Sequence, residues 1–212
     1  MKQLNTHWPS HIIDTKTLRK SLRRQRLALP LHSRRHAEKS IVRQIRRQPK
    51  FIGSRKVGLY IDAFGEVPTD ALIKLCFKLH KSVYLPVVHL ENKPLAWSRV
   101  TQHQWRNKRM TRHRFGMKQP FKQRGISVKS LDLLFMPLVA FDPKGHRLGM
   151  GGGFYDRTLA HCASVQERRK LQPSKPLRVG VAYDFQRIET IQSNTWDISI
   201  HSVVTPTEYR RF

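Results

Sequence analysis

The sequence predicts an α/β protein built on a mostly parallel sheet, and three observations point there. "KVGLYIDAF" (56–64), "TDALIKLCFKLHKS" (69–82) and "SVYLPVV" (82–88) run as an apolar β-rich segment, an amphipathic helix and a second β-rich segment. That is the spacing of a βαβ unit. "LDLLFMPLVAFD" (131–142) and "LRVGVAYD" (177–184) are almost continuously apolar, as buried strands covered on both faces are. Finally, 212 residues that are 39% apolar suffice for one large domain with a core.

Taken in order, residues 1–14 read as a flexible N-terminal extension and 15–212 as a single α/β domain. Residues 15–49 are helical in pattern: Leu18 and Leu22 stand four apart, as do Ile41 and Ile45, with Leu29 between the pairs. Pro30 divides the segment into two helices. Thr69 suits the N-cap of the helix that follows it. "PLAWSRV" (94–100) reads as a strand, and 106–125, with eight basic residues and no acid, as loop with little regular structure. The apolar run at 131–142 begins as a strand, "YDRTLAHCA" (155–163) starts a helix, and "ISIHSVVTP" (198–206) closes the pattern as a short strand.

Charge is the outlier. Lys and Arg number 41 against 14 Asp and Glu, a formal net charge of +27, and residues 1–50 alone hold 14 bases and two acids. Such an excess favours anionic ligands or contact with nucleic acid, and says nothing about fold. Cys76 and Cys162 are too few for a disulfide framework and lack metal-ligand spacing, as do the 11 histidines. No apolar run approaches about 18 residues, and the N-terminus lacks the apolar core of a signal peptide. A cytoplasmic chain without membrane contact is expected.

The chemistry concentrates in "GHRLGMGGGFYDR" (145–157), where five glycines fall within nine residues. The loop follows a strand, the place where open α/β sheets hold ligands. Glycines let backbone N–H groups approach phosphate oxygens, Arg147 offers a bidentate guanidinium, and Asp156 offers a carboxylate for a bridging cation. Neither GxxxxGK[ST] nor GxGxxG fits the spacing.

On local grounds alone, Asp156 also suits the first turn of a helix, Glu66 a helix cap, and Asp197 a turn. Trp105 and Phe115, set among bases, suit either a stacking surface or a core. A basic, non-catalytic RNA- or DNA-binding protein is the alternative these readings leave open.

The pattern "FDPKGHRLGMGGGFYDR" resembles the signature loop of the 5-formyltetrahydrofolate cyclo-ligase family. "LRKSLRRQRLAL", "GEVPTDALI", "RFGMKQP" and "FQRIETIQSNTWDISIHSVVTP" resemble its other blocks in order, from about residue 15 to 206. The resemblance implies a three-layer sandwich with a Rossmann-like sheet. It also implies conversion of 5-formyltetrahydrofolate, with or without a polyglutamate tail, to 5,10-methenyltetrahydrofolate, driven by ATP and Mg2+ in a monomer.

Carried over by position, Arg147 and Asp156 would be catalytic. ATP would meet Lys16, Arg19 and the run Arg147, Leu148, Gly149, Met150, Gly151, Gly152, Gly153, Phe154 and Tyr155. Folate would meet Ile61, Glu66 and the stretch from Met150 to Phe154. Mg2+ would meet Asp156 and Asp197. The chain departs from the family pattern at Thr15, where lysine is common and Lys16 stands next, at Phe154, where tyrosine is usual, and at Pro68, Gln192 and His201.

Overall fold

The computed structural model describes residues 14–88, 93–113, 116–121, 125–160, 162 and 175–212. Helices α1 (Thr15–Ala28) and α2 (Leu31–Ile45) flank Pro30 as the sequence predicts, and a short α3 (Pro49–Gly53) follows. Asp14 caps α1, accepting bonds from the Lys16 and Thr17 amides. The βαβ unit is β1 (Lys56–Gly58), α4 (Asp70–Lys78) and β2 (Ser82–Val87), with β1 and β2 parallel. Only the first three residues of the 56–64 run pair as strand, and Leu59 adds one further bond from its amide to the Tyr84 carbonyl at 2.9 Å. Thr69 is the N-cap residue of α4, but its hydroxyl donates to the Tyr60 carbonyl at 2.6 Å instead of capping the helix.

Next come β3 (Ala96–Val100) and α5 (Gln102–Arg106). The basic stretch expected to be loop contains a hairpin, β4 (Met110–Arg112) with β5 (Lys118–Pro120). Buried Gln119 anchors it, accepting from the Val88 amide at 3.0 Å. Phe115 and the 1–13 extension lie outside the described residues.

The 131–142 run is two elements: β6 (Leu133–Pro137) in the main sheet, and β7 (Ala140–Phe141), which turns out of it to pair with β8 (Arg147–Leu148). Then α6 (Phe154–Leu159), β9 (Leu177–Val181), β10 (Ser202–Val204) and β11 (Tyr209–Arg211) complete the chain.

The seven-stranded sheet has the order β11-β10-β9-β6-β1-β2-β3. Its five inner strands are parallel, and only the edges β3 and β11 are antiparallel. Alternate side chains face opposite layers. Val83, Leu85, Leu133 and Phe135 join Ile41 and Ile45 of α2 and Ile73 of α4, while Tyr84, Leu134 and Met136 join Leu159 of α6. Helices therefore cover both faces, giving three layers.

α1 lies on neither face. Leu18 and Leu22 pack on Val139, Ala140, Leu148 and Ile191, so α1 sits over the β7–β8 hairpin at the carboxyl end of the sheet. No helix among the described residues is long and apolar enough to cross a membrane, and both cysteines are free and buried.

Candidate active site

The chain runs outward from β1 to β2 and β3, then returns to β6 on the other side of β1. This reversal is the topological switch point where open α/β sheets place ligands. A cleft of about 930 Å³ opens there, bounded by the turn after β1, the end of β6, the glycine loop, α1 and the 191–197 segment.

The glycine loop is held at its root by Asp142, which is fully buried. Its Oδ1 accepts from the amides of Lys144 and His146, both at 2.9 Å. Its Oδ2 meets His146 Nδ1 at 2.8 Å and accepts from the Ile191 amide at 3.1 Å. One carboxylate thus shapes the hairpin turn and fastens a second cleft wall to it. Arg19 reaches over from α1 and donates from Nε to the Gly149 carbonyl at 2.8 Å. Arg157 donates to the Gly152 carbonyl at 2.7 Å, with its guanidinium 5.2 Å from the Phe154 ring centroid. Gly153, at φ 62°, is the left-handed N-cap of α6, a conformation that favours glycine.

These bonds take carbonyls, leaving amides open. Among the described residues, the N–H groups of Met150, Gly151 and Gly152 have no hydrogen-bond partner. Arg147 pairs with Asp156, Nη2 to Oδ1 at 2.6 Å, while its buried Nε has no partner. Asp156 Oδ1 also accepts from the Ile198 amide at 3.2 Å. Asp197 accepts from the Asn194 amide at 2.8 Å, the turn role its local sequence suggests, and still lines the cleft. Unpaired amides beside an arginine on one wall are the donor set that phosphate oxygens take up.

Across the cleft, Glu66 accepts from the Ala63 amide at 3.0 Å. Loss of water around its carboxyl pushes its pKa up to about 7, against the Ala63 bond and the positive charge of Arg26. Burial also raises the Tyr155 hydroxyl well above its ordinary value. Glu66 is thus a carboxyl balanced between acceptor and donor at neutral pH.

Of the residues named from sequence, Arg19, Glu66, the whole of Arg147–Asp156 and Asp197 line this one cleft. Lys16 and Ile61 do not. Lys16 is exposed on the first turn of α1, where Thr15 faces the cleft in its place, and Ile61 packs against the main core. Trp105 also packs against that core, with its indole N–H donating to Asp70 at 3.0 Å, rather than forming a stacking surface. Sequence reasoning missed Phe64, Leu138 and Trp196 as lining residues. The only signal was their position at strand ends or beside Asp197.

The sequence matches the 5-formyltetrahydrofolate cyclo-ligase family over residues 12–206. It is 34% identical to 5-formyltetrahydrofolate cyclo-ligase from Haemophilus influenzae over 190 residues, covering 88% of this chain and 95% of that one. The Escherichia coli protein of the same name is 32% identical over 190 residues, covering 88% and 97%. The solution structure of Aquifex aeolicus 5,10-methenyltetrahydrofolate synthetase superposes with a TM-score of 0.75 at 31% identity, covering 93% of this chain and 92% of that one.

Proposed function

The chain belongs to the 5-formyltetrahydrofolate cyclo-ligase family and is an enzyme of that class; from that premise we propose that it converts 5-formyltetrahydrofolate to 5,10-methenyltetrahydrofolate with ATP and Mg2+, releasing ADP and phosphate. One observation supports this most. The open amides of Met150–Gly152, the guanidinium of Arg147 and Glu66 line a single cleft, so a phosphate wall stands opposite a polar substrate wall.

The chemistry needs such a cleft. The oxygen of a formyl group carried on nitrogen is a poor leaving group. Transfer of the γ-phosphoryl group of ATP to that oxygen, with ADP leaving, makes it a good one. N10 of the folate then bonds to the formyl carbon and gives up its proton as the C–O bond breaks, and phosphate departs carrying that proton.

The chain's part is positioning and charge neutralisation. Arg147 and the loop amides bind phosphate oxygens. Arg19 fixes the loop from α1 and faces the same space. Glu66 takes hydrogen bonds from the N–H groups of the pterin ring. Gly151–Phe154 bring the two substrates together.

Among the described residues no group of three or more His, Cys, Asp or Glu forms a metal cage. Asp156 and Asp197 on one wall still suit Mg2+, which takes one or two carboxylates and completes its shell with water and phosphate. Mg2+ would supply charge neutralisation at the phosphates.

Asp156→Ala, with Asp156→Asn beside it, tests the assignment. Both variants should keep a native melting transition and lose Mg2+-dependent turnover by about a hundredfold or more. Turnover at wild-type level in a folded variant contradicts the role.

A further inference from the structure

Arg26 is the anomaly of the molecule. It lies in the last turn of α1 and is 1% exposed. Nη1 donates to the Leu138 carbonyl at 3.2 Å, Nη2 reaches the Met150 sulfur at 3.7 Å, and Nε has no partner. No carboxylate stands within ion-pair distance of it among the described residues. A buried guanidinium is costly without such a partner, and it cannot shed its proton as a lysine can. An apolar side chain would carry no such cost, so the fold alone does not call for arginine there.

Its surroundings explain the placement. Leu138, Met150 and Glu66 all line the cleft, one on each of three walls, and Arg26 lies behind them. The turn carrying Glu66 presses on the Arg26 backbone. A Cβ on Gly65, itself at φ 78°, would stand 2.9 Å from the Arg26 carbonyl carbon.

We propose that Arg26 is a positioning residue that acts on the substrate through Glu66: its fork ties Met150 and Leu138 to one point behind the turn that carries Glu66, and its buried positive charge favours the carboxylate form there. This rests on the reading above that Glu66 meets the folate. The other groups on Glu66's own side of the cleft are an acid and phenols, while Arg19, Arg147 and Arg157 line the facing walls. Asp62 stands in the same segment, Tyr60 precedes it, Tyr155 faces it from α6, and the Tyr183 hydroxyl donates to the Glu66 carbonyl at 3.3 Å. Arg26 is therefore the cation that opposes the desolvation of Glu66, and Glu66 in turn is the first carboxylate to favour the charged form of Arg26. A carboxylate accepts two N–H bonds from a substrate edge; the protonated acid offers one acceptor fewer.

The experiment compares Arg26→Met, Arg26→Gln and Arg26→Lys with the parent enzyme. Methionine leaves no buried polar group, so loss of folding in the glutamine variant does not end the test. The Glu66 carboxyl is titrated by carbon-13 NMR in the free protein, its signal identified by its loss in Glu66→Gln. Removing the charge should move the Glu66 midpoint up by about one pH unit or more, and lysine should hold it near the parent value. The pH dependence of kcat/KM for 5-formyltetrahydrofolate should shift with it, while KM for ATP changes less than about twofold. An unmoved midpoint, or a loss equal at every pH and for both substrates, overturns the proposal. If the parent enzyme makes no product, the reading of function fails, yet the titration needs no substrate and still decides the role of Arg26.

Discussion

Arg147 and Asp156, the two residues to which the sequence assigns the chemistry, are bonded to each other at 2.6 Å. The pair is a resting arrangement compatible with both roles. A phosphate at Arg147 and a cation at Asp156 would exchange one compensated pair for two. Glu66 makes a separate prediction. Its pKa in the folded protein, about 7, exceeds its ordinary 4.5, so the folded state binds the proton more tightly than the unfolded chain does. The stability from that proton is full below the ordinary value and is lost as pH rises through about 7. Glu66→Gln should therefore match the parent near pH 4 and be the more stable near pH 8, by on the order of 2 kcal/mol. Denaturant midpoints measured at both pH values check this, and parallel curves would refute it.

Residue types in the glycine loop were legible because phosphate chemistry restricts them so tightly. Arg26 and Asp142 were not, because nothing in a sequence says that a particular charge is buried. Lys16 lies outside the cleft lining, since a helix turns each successive side chain by about 100° and, of the first turns of α1, Thr15 and Arg19 share the cleft face.

At the scale of elements, α1 carries the loop. Leu22 is fully buried against Val139, Ala140, Leu148 and Ile191, and Arg19, one turn earlier, holds Gly149. Leu22→Ala should cost about 2–5 kcal/mol of stability and raise KM for ATP more than KM for folate, because the loop loses its backing. Thermal melts and steady-state kinetics check both halves; an equal rise for both substrates would show that α1 does not act through the loop.

The helices and parallel strands of the fold were legible from apolar spacing. The hairpin at 110–120 was not. Its sequence is basic, its strands are three residues each, and its pairing depends on an anchor such as Gln119 rather than on a hydrophobic pattern. The split of 131–142 was hidden for the opposite reason. Both halves are buried, so composition does not mark where the chain leaves one sheet for another.

For the whole molecule, a net charge of +27 surrounds a cleft whose proposed ligands, ATP and folate, are both anions. The field draws such ligands toward the protein, and would draw a polynucleotide as readily. Charge alone therefore does not separate an enzyme from a nucleic-acid binder; the cleft does, because a surface binder has no use for Glu66 and Asp156 facing one glycine loop. The most direct measurement is the absorbance of 5,10-methenyltetrahydrofolate on mixing the protein with 5-formyltetrahydrofolate. Product should form with ATP and Mg2+ together, and not when either is left out. No product under any of these conditions, alongside tight and salt-sensitive binding of RNA by the same preparation, would contradict the account.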